Sequence, residues 1–339
     1  KKYYVTGGVG SGETSEGFGP NYSLRNNAYC EACSSCGAIF FHWKMNLAYH
    51  DARYVDLYEE TIYNALLGSV DLEGKNFYYD NPLDEHQPRY PWHACPCCVG
   101  NIPRTLLMFP TWMYAKSRDS LYVNLFAGST ITVEGVAGTD VEMVQATDYP
   151  WSGKVSITVN PNSPKRFSLR VRAPNRGVSK LYSAAPEANG IVSLAVNGAQ
   201  VKPAIERGYA VITRTWKRGD KVELLLPMKV QRVRSDEKVE AARGKVALKY
   251  GPLVYNIEQA DQDITQALAS GSGLTAEWQA GLLGGVVAIK GKFAGGAPLL
   301  AIPNYARMNR ALPPPAATAG TFDRRTRRPA VSIVWIKEG

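Results

Sequence analysis

Two stretches near the start of the chain carry apolar residues at helical spacing. In the first, from residue 31 to about 49, these residues recur every three or four positions: Ile39, Phe40, Trp43 and Leu47. The second starts near Asp51, a residue type that often caps a helix, and stops at Gly68. Its apolar positions are Val55, Tyr58, Ile62 and Leu66. The pattern predicts an antiparallel helical hairpin.

A third helix is predicted from residue 100 to about 108, with Pro103 in its first turn, where proline is tolerated. Cys97 and Cys98 would then sit just ahead of the helix N-terminus. The free amides and the dipole at that end favour a thiolate over a thiol.

Beyond about residue 117 the apolar period changes from 3.6 to 2, which is typical of half-buried strands. The clearest alternating runs are residues 155–159, 167–171, 209–213 and 331–335. Turn residues such as Asn197-Gly198 separate them, as in antiparallel sandwiches. We therefore expect a helical domain over residues 1–116 and two β-sandwich domains, over 117–228 and 229–339.

Composition indicates a soluble globular protein. The mean hydropathy is −0.23, and no apolar run is long enough to span a bilayer. The net charge of +9 could suit nucleic acid or an acidic polysaccharide, but its one dense run, residues 324–328, lies beside three prolines and favours a solvated loop. We expect no nucleic acid and no membrane partner. The first residues lack a signal-peptide pattern and favour neither the cytoplasm nor the periplasm of a bacterium.

A glycine-rich turn covers residues 7–12. A dinucleotide-binding fingerprint would need a third glycine three places after Gly10, where Glu13 stands, and a helix directly after it. We reject that interpretation. The turn is better placed to aim Glu13 and Glu16 into a cleft, although two glutamates on a loop are by default only solvated.

All six cysteines fall into two groups, Cys30, Cys33 and Cys36, then Cys95, Cys97 and Cys98. Glu31 and Cys33 at a helix start, with Cys97 and Cys98 from a turn, would supply one oxygen and three sulfur ligands. That set suits tetrahedral zinc.

Two alternatives remain open. Cys30-x-x-Cys33-x-x-Cys36 with one cysteine of the second group resembles iron-sulfur spacing. The cysteines could also be disulfides or free thiols, although the adjacent Cys97 and Cys98 are awkward partners for each other. The order of preference is zinc, then disulfides or free thiols, then an iron-sulfur cluster.

At this point the chain resembles glycoside hydrolase family 127, the β-L-arabinofuranosidase-like enzymes, and the related family 146. The segments that carry the resemblance are TGGVGS at 6–11, EGFGP at 16–20, AYCEAC at 28–33, EETIYN at 59–64, YDNPL at 79–83 and CCVGN at 97–101. It continues through WKRGD at 216–220, GPLVY at 251–255 and AIPNY at 301–305. The resemblance therefore covers nearly the whole chain.

The resemblance implies a retaining glycosidase that acts on L-arabinofuranosides or a related plant-wall oligosaccharide. It also implies a partial (α/α)6 barrel followed by two antiparallel β-sandwiches. Carried over by position, the zinc ligands would be Glu31, Cys33, Cys97 and Cys98. Cys97 would be the nucleophile and Glu16 the acid/base, while Glu59 and Tyr79 would line the sugar site.

Three departures from the family pattern matter. The segment from Glu16 to Glu31 is one residue shorter than expected, which keeps Glu13 as a weaker acid/base candidate. The zinc set does not require the remaining thiols, Cys30, Cys36 and Cys95. The family barrel is about twice as long as the helical part here, and its N-terminal half has no counterpart before Lys1.

The chain is therefore expected to be a C-terminal half that, alone, hydrolyses glycosides poorly and self-associates, for example as a homodimer. The competing hypothesis is a zinc-stabilised fragment without activity, whose β domains bind carbohydrate or act as a scaffold. Among the histidines, His93, beside the second cysteine group, is the one candidate to support a site from behind.

Overall fold

The helices are concentrated in the first third of the chain. The structure, a computed structural model, describes residues 1–10, 16–310 and 329–339. Glu13 and the basic run at 324–328 lie outside these residues. The described α-helices are α1 (Ala32–Tyr49), α2 (Ala52–Thr61), α3 (Cys97–Leu107) and α4 (Phe109–Trp112). None of them is both long and apolar enough to cross a membrane.

The predicted helical hairpin is confirmed. The carboxylate of Asp51 accepts a hydrogen bond from the Arg53 amide at 3.0 Å and so caps α2. After Thr61 the helix continues as one π-helical turn, Ile62–Leu66, and one 3-10 turn, Leu67–Ser69, before the chain leaves it.

The predicted third helix begins earlier than expected. α3 starts at Cys97 rather than near residue 100, so Cys97 and Cys98 belong to its first turn and Pro103 lies in its interior. Proline there removes one backbone donor from the helix. The two cysteines therefore belong to the first turn of the helix rather than to the turn ahead of it.

In the described residues after α4, the regular elements are strands, apart from two short 3-10 turns. In the helical third lies β1 (Asp84–Glu85). Next come β2 (Tyr114–Lys116), β3 (Ser120–Val123), β4 (Ser129–Val136), β5 (Thr139–Thr147), β6 (Lys154–Pro161), β7 (Lys165–Arg172), β8 (Tyr182–Ala185), β9 (Ser193–Val196), β10 (Ala199–Gln200), β11 (Ile205–Glu206), β12 (Tyr209–Trp216) and β13 (Asp220–Leu225). The last are β14 (Val230–Ser235), β15 (Lys245–Tyr250), β16 (Leu253–Glu258), β17 (Thr275–Gln279), β18 (Val286–Lys292), β19 (Pro298–Pro303), β20 (Ser332–Ile333) and β21 (Ile336–Lys337).

Within the described residues these strands form three sheets, and neighbouring strands are antiparallel except for β3 and β7. One sheet has the order β10-β9-β13-β6-β5-β4, and the next has the order β11-β12-β7-β3-β2. The third follows β17-β18-β19-β16-β15-β14-β8, with β1, β20 and β21 paired alongside. The fold is thus a mixed one, with few helices and several antiparallel sheets.

The third sheet draws strands from all parts of the chain. β8 pairs with β14, although about 45 residues separate them. β1 pairs with β20, which joins the helical third to the last residues of the chain. These pairings tie the helices to the strands that follow them.

The β11–β12 hairpin closes the N-terminus of α2. The backbone amide of Ala52 donates to the carbonyl of Arg207 at 2.9 Å. At the next residue, Gly208, φ is 79°, and an added Cβ would lie 2.6 Å from the Cβ of Ala52. Only glycine fits this close approach in this backbone conformation.

Some apolar residues of the helices remain uncovered. In α1, Ile39 is fully buried, but Leu47 of the predicted apolar stripe is 38% exposed and Phe41 is 59% exposed. In α3, Leu107 is 82% exposed.

Candidate functional site

Four side chains from two helix N-termini meet in one cluster, which we call the sulfur cluster: Glu31, Cys33, Cys97 and Cys98. Glu31 directly precedes α1, and the amide of Ala32 donates to the carbonyl of Tyr79 at 2.9 Å, which fixes this helix start. One potential ligand atom from each of the four residues lies within 4.8 Å of all the others.

The individual distances are those of a small coordination site. Cys97 Sγ and Cys98 Sγ lie 3.6 and 3.7 Å from Glu31 Oε1, and 3.8 Å from each other. Cys33 Sγ lies 3.1 Å from Cys98 Sγ. In a tetrahedral zinc site, sulfurs are about 3.8 Å apart and a sulfur and an oxygen about 3.6 Å apart. Three of the four distances match, one is shorter, and the group can hold a metal ion.

The three thiols of the sulfur cluster differ in acidity. A hydrogen bond from Cys98 lowers the pKa of Cys33 to about 7, against the opposing effect of burial and with help from Asn101. Burial raises the pKa of Cys97 to about 12. The hydrogen bond to Cys33 and burial raise the pKa of Cys98 as well. The cluster on its own therefore favours one thiolate rather than three.

Tyr79 joins the sulfur cluster to the predicted acid/base. Its hydroxyl donates to Glu16 Oε1 at 3.3 Å and accepts from Cys97 Sγ at 3.5 Å. Glu16 Oε1 and Cys97 Sγ are therefore separated by no more than the sum of these two distances. Glu16 is exposed, whereas Tyr79 is buried. The predicted nucleophile and acid/base thus face the same space.

His93 supports this arrangement from behind. Its ring stacks on that of Tyr79, with the centroids 4.2 Å apart, and its Nδ1 accepts from the Cys95 amide at 3.1 Å. His93 is buried. It therefore contacts both the tyrosine and the turn that leads into Cys97.

Glu59 lies in a second buried cluster, which we call the ion cluster, formed with Asp56, Arg172 and Arg176. The Arg172 guanidinium binds Asp56 Oδ1 at 2.7 Å and also pairs with Glu59 Oε1. Arg176 lies 3.9 Å from the other Glu59 oxygen. The sugar-site role of Glu59 stays a prediction, because its described partners are these arginines.

The state of the cysteines bears on the two alternatives to a zinc site, namely disulfides or free thiols and an iron-sulfur cluster. None of the six is in a disulfide, so the disulfide half of that alternative is wrong, whereas the free-thiol half agrees with the structure. Cys30 and Cys36 are buried, and burial raises the pKa of Cys36 to about 11. Neither joins Cys33 in the described ligand group, so the iron-sulfur set is not formed. Cys95 is exposed, with its Sγ 3.7 Å from that of Cys97.

Sequence reasoning missed one residue that contacts the sulfur cluster, Asn101. Its Nδ2 donates to Cys33 Sγ at 2.9 Å. The signal was present, because Asn101 follows Cys97 by four residues, which places both on one face of a helix. The late predicted start of α3 hid this relation.

Models of three domains of one family match successive parts of the chain. The model of the GH127 catalytic domain of β-L-arabinofuranosidase matches residues 1–111. The GH127 middle-domain model of the same enzyme matches residues 120–228. The model of the glycoside hydrolase family 127 C-terminal domain matches residues 230–314.

Individual relatives agree with these matches. The chain is 31% identical over 313 residues to a non-reducing end β-L-arabinofuranosidase of Bifidobacterium longum subsp. longum, a match that covers 84% of this chain and 45% of that protein. A solved GH127 β-arabinofuranosidase matches with a TM-score of 0.88 and 30% identity, over 100% of this chain and 54% of that one. A GH127 β-L-arabinofuranosidase from Geobacillus stearothermophilus T6 matches with a TM-score of 0.85 and 31% identity, over 100% and 55%. The chain spans about half the length of these relatives.

Proposed function

Because the chain belongs to glycoside hydrolase family 127, we propose that it carries the nucleophile and the acid/base of a retaining glycosidase. The observation that carries the proposal is the Tyr79 hydroxyl, which contacts both Glu16 and Cys97. The upper limit that these contacts set on the distance between Glu16 Oε1 and Cys97 Sγ is compatible with the separation of roughly 5 to 5.5 Å between the two catalytic groups of retaining enzymes. In the same proposal, residues 1–116 are the C-terminal part of an (α/α)6 barrel, and the sheets form two β-sandwiches divided near residue 229.

The proposed metal is zinc, held by Glu31, Cys33, Cys97 and Cys98. The choice of zinc rests on the donor set of three sulfurs and one carboxylate oxygen. Bound zinc keeps its cysteine ligands deprotonated near neutral pH.

In the first step the Cys97 thiolate attacks the anomeric carbon of the sugar. The bond to the leaving oxygen breaks, and Glu16 gives that oxygen its proton. Glu16 then takes a proton from water, whose oxygen attacks the same carbon and releases the Cys97 thiolate. Two inversions leave the anomeric configuration retained. Tyr79 orients both groups through its two hydrogen bonds.

The proposed substrate is a non-reducing end β-L-arabinofuranoside, as it would occur in a plant-wall oligosaccharide. The relative from Bifidobacterium longum is named for this activity. Since the chain spans about half of that protein, the proposal applies to a full-length protein that contains this sequence.

The test uses the full-length protein and separates the two roles. Cys97→Ser should lower turnover at least about a thousandfold for every substrate, because a serine hydroxyl is a much poorer nucleophile and metal ligand. Glu16→Ala should slow natural glycosides strongly but spare p-nitrophenyl β-L-arabinofuranoside, whose leaving group needs little protonation. Cys95→Ser, which changes the neighbouring thiol, is the control and should retain activity.

Two results would contradict this assignment. If Glu13→Ala cripples the enzyme while Glu16→Ala is nearly silent, the acid/base is Glu13. If the full-length protein hydrolyses no arabinofuranoside yet binds zinc and oligosaccharide, the non-catalytic binding or scaffold function is the better one.

A further inference from the structure

The sulfur cluster contains three cysteines, and one contact distinguishes them. Cys98 is completely buried, so its sulfur has no access to a substrate. Cys33 and Cys97 are both only partly buried. Cys97 Sγ contacts the Tyr79 hydroxyl, whereas Cys33 Sγ accepts a hydrogen bond from the side-chain amide of Asn101 at 2.9 Å.

The position of Asn101 is fixed from both sides of the helix pair. Its backbone carbonyl accepts from Thr105 Oγ1, one turn later in α3, at 2.6 Å. The same carbonyl accepts from the Cys36 thiol of α1 at 3.6 Å. The residue is therefore anchored to α1 and α3 while its side chain points at Cys33. A group held in this way can restrain a metal ligand.

We propose that Asn101 is a positioning residue that keeps Cys33 as a non-reacting metal ligand and so leaves the attack on the sugar to Cys97. An N–H donor draws charge away from a thiolate and occupies one of its lone pairs. Cys97 has no such amide donor among its described contacts and faces Glu16 through Tyr79. The proposal rests on the zinc site proposed above.

The experiment measures thiol reactivity in the 339-residue chain and needs no turnover. Zinc-loaded protein, with zinc in excess, is treated briefly with iodoacetamide, and the alkylation of each cysteine is followed by peptide mass spectrometry. In the parent chain Cys33 should react at least about tenfold more slowly than Cys97. Asn101→Ala should raise the Cys33 rate about fivefold or more and leave the Cys97 rate within about twofold.

Two further variants keep the result interpretable. Asn101→Asp retains the shape but replaces the donor with a negatively charged acceptor, so its zinc affinity should fall about 10- to 100-fold in a competition titration. Leu107→Ala, at an exposed position of the same helix, should change neither quantity. If circular dichroism shows that Asn101→Ala folds poorly, the zinc affinity of Asn101→Asp still tests the proposal.

The outcomes separate this inference from the function on which it rests. Equal Cys33 rates in the parent and in Asn101→Ala, with unchanged zinc affinity of Asn101→Asp, would overturn the role of Asn101 and leave the zinc site intact. A parent chain that binds no zinc under reducing conditions would overturn both.

Discussion

The sulfur cluster and the ion cluster both bury charged or ionisable groups against the helical hairpin, but they are balanced differently. In the ion cluster, the Arg172 guanidinium contacts the carboxylates of Asp56 and Glu59, and Arg172 is completely buried. In the sulfur cluster, a carboxylate meets three thiols. Among the described residues, no hydrogen bond or ion pair joins those four side chains to a lysine or arginine.

The difference indicates what each cluster needs. A buried charge is stable only when it is paired or bound to a metal. The ion cluster carries its counter-ion in the chain, so it is complete as a structural anchor. The four side chains of the sulfur cluster can only be neutral or negatively charged. All four can therefore be ionised together only when a bound cation balances their charge.

The largest expected effect tests this need for a cation. Purified protein should carry about one zinc per chain, and Cys33→Ser should carry none, because a four-ligand site loses one of its sulfurs. Zinc at a thousandfold excess over its dissociation constant should stabilise the parent chain by about 4 kcal/mol. Elemental analysis and thermal unfolding with and without a chelator measure both quantities.

The control for this prediction is Cys95→Ser, which changes an exposed thiol outside the ligand group. It should bind zinc as the parent does. Iron with labile sulfide, or no metal after reducing purification, would show that the comparison between the two clusters is mistaken.

A smaller loss is expected when the ion cluster is broken. Arg172→Leu should lower the free energy of unfolding by about 3 kcal/mol, because the buried Glu59 carboxylate loses its nearest cation and Asp56 loses a hydrogen-bond donor. Arg170→Leu, two residues earlier on β7, is the matched control. It removes an exposed pair with Glu206 and should cost at most about 1 kcal/mol. Urea unfolding of both variants measures the difference, and equal losses would contradict the anchor role.

Glu59 offers a finer test within the ion cluster. As an anchor, Glu59→Gln should lower stability and change KM little in the full-length protein. As a residue lining the sugar site, it should raise KM with little change in stability. The resemblance to the family implies the second result, and the contacts with Arg172 favour the first.

The last test concerns the dependence of stability on pH. Burial raises the pKa of Asp56 to about 7, despite the opposing attraction of Arg172. The folded state then holds a proton that the unfolded chain loses near the ordinary pKa of 3.8, so this group reduces stability as the pH rises from about 4 to about 7. Asp56→Asn should therefore show a shallower fall of the free energy of unfolding across this range. If the free energy of unfolding of Asp56→Asn changes with pH as it does in the parent, Asp56 does not cause the pH dependence.

The sulfur cluster could be predicted because its members lie at marked positions in the sequence. Glu31 and Cys33 stand at a predicted helix start, and Cys97 and Cys98 were expected beside another. Residue type and local pattern favoured this set over the alternatives, and the family resemblance implied the same four residues. The contact between Asn101 and Cys33 was not predicted, because it depends on where α3 begins.

The ion cluster could not be predicted for a different physical reason. In β7 the apolar residues alternate, and Arg172 occupies the polar side of that alternation, where sequence reasoning expects solvent. The helix α2 covers this side, so Arg172 is completely buried. The pairing of β8 with β14 was hidden likewise, since no local pattern marks a strand that joins a distant sheet.

The contact between the β11–β12 hairpin and α2 has a consequence for synthesis. The N-terminal turn of α2 obtains its backbone partner, the carbonyl of Arg207, only after Arg207 has left the ribosome. At about 5 to 20 residues per second, the roughly 150 intervening residues take on the order of 10 to 30 s. During that interval the nascent helical hairpin lacks this partner, and for most of it also Arg172, so its apolar residues stay exposed. A chaperone that binds apolar segments therefore has an opportunity to bind residues 32–61 before the middle strands are complete.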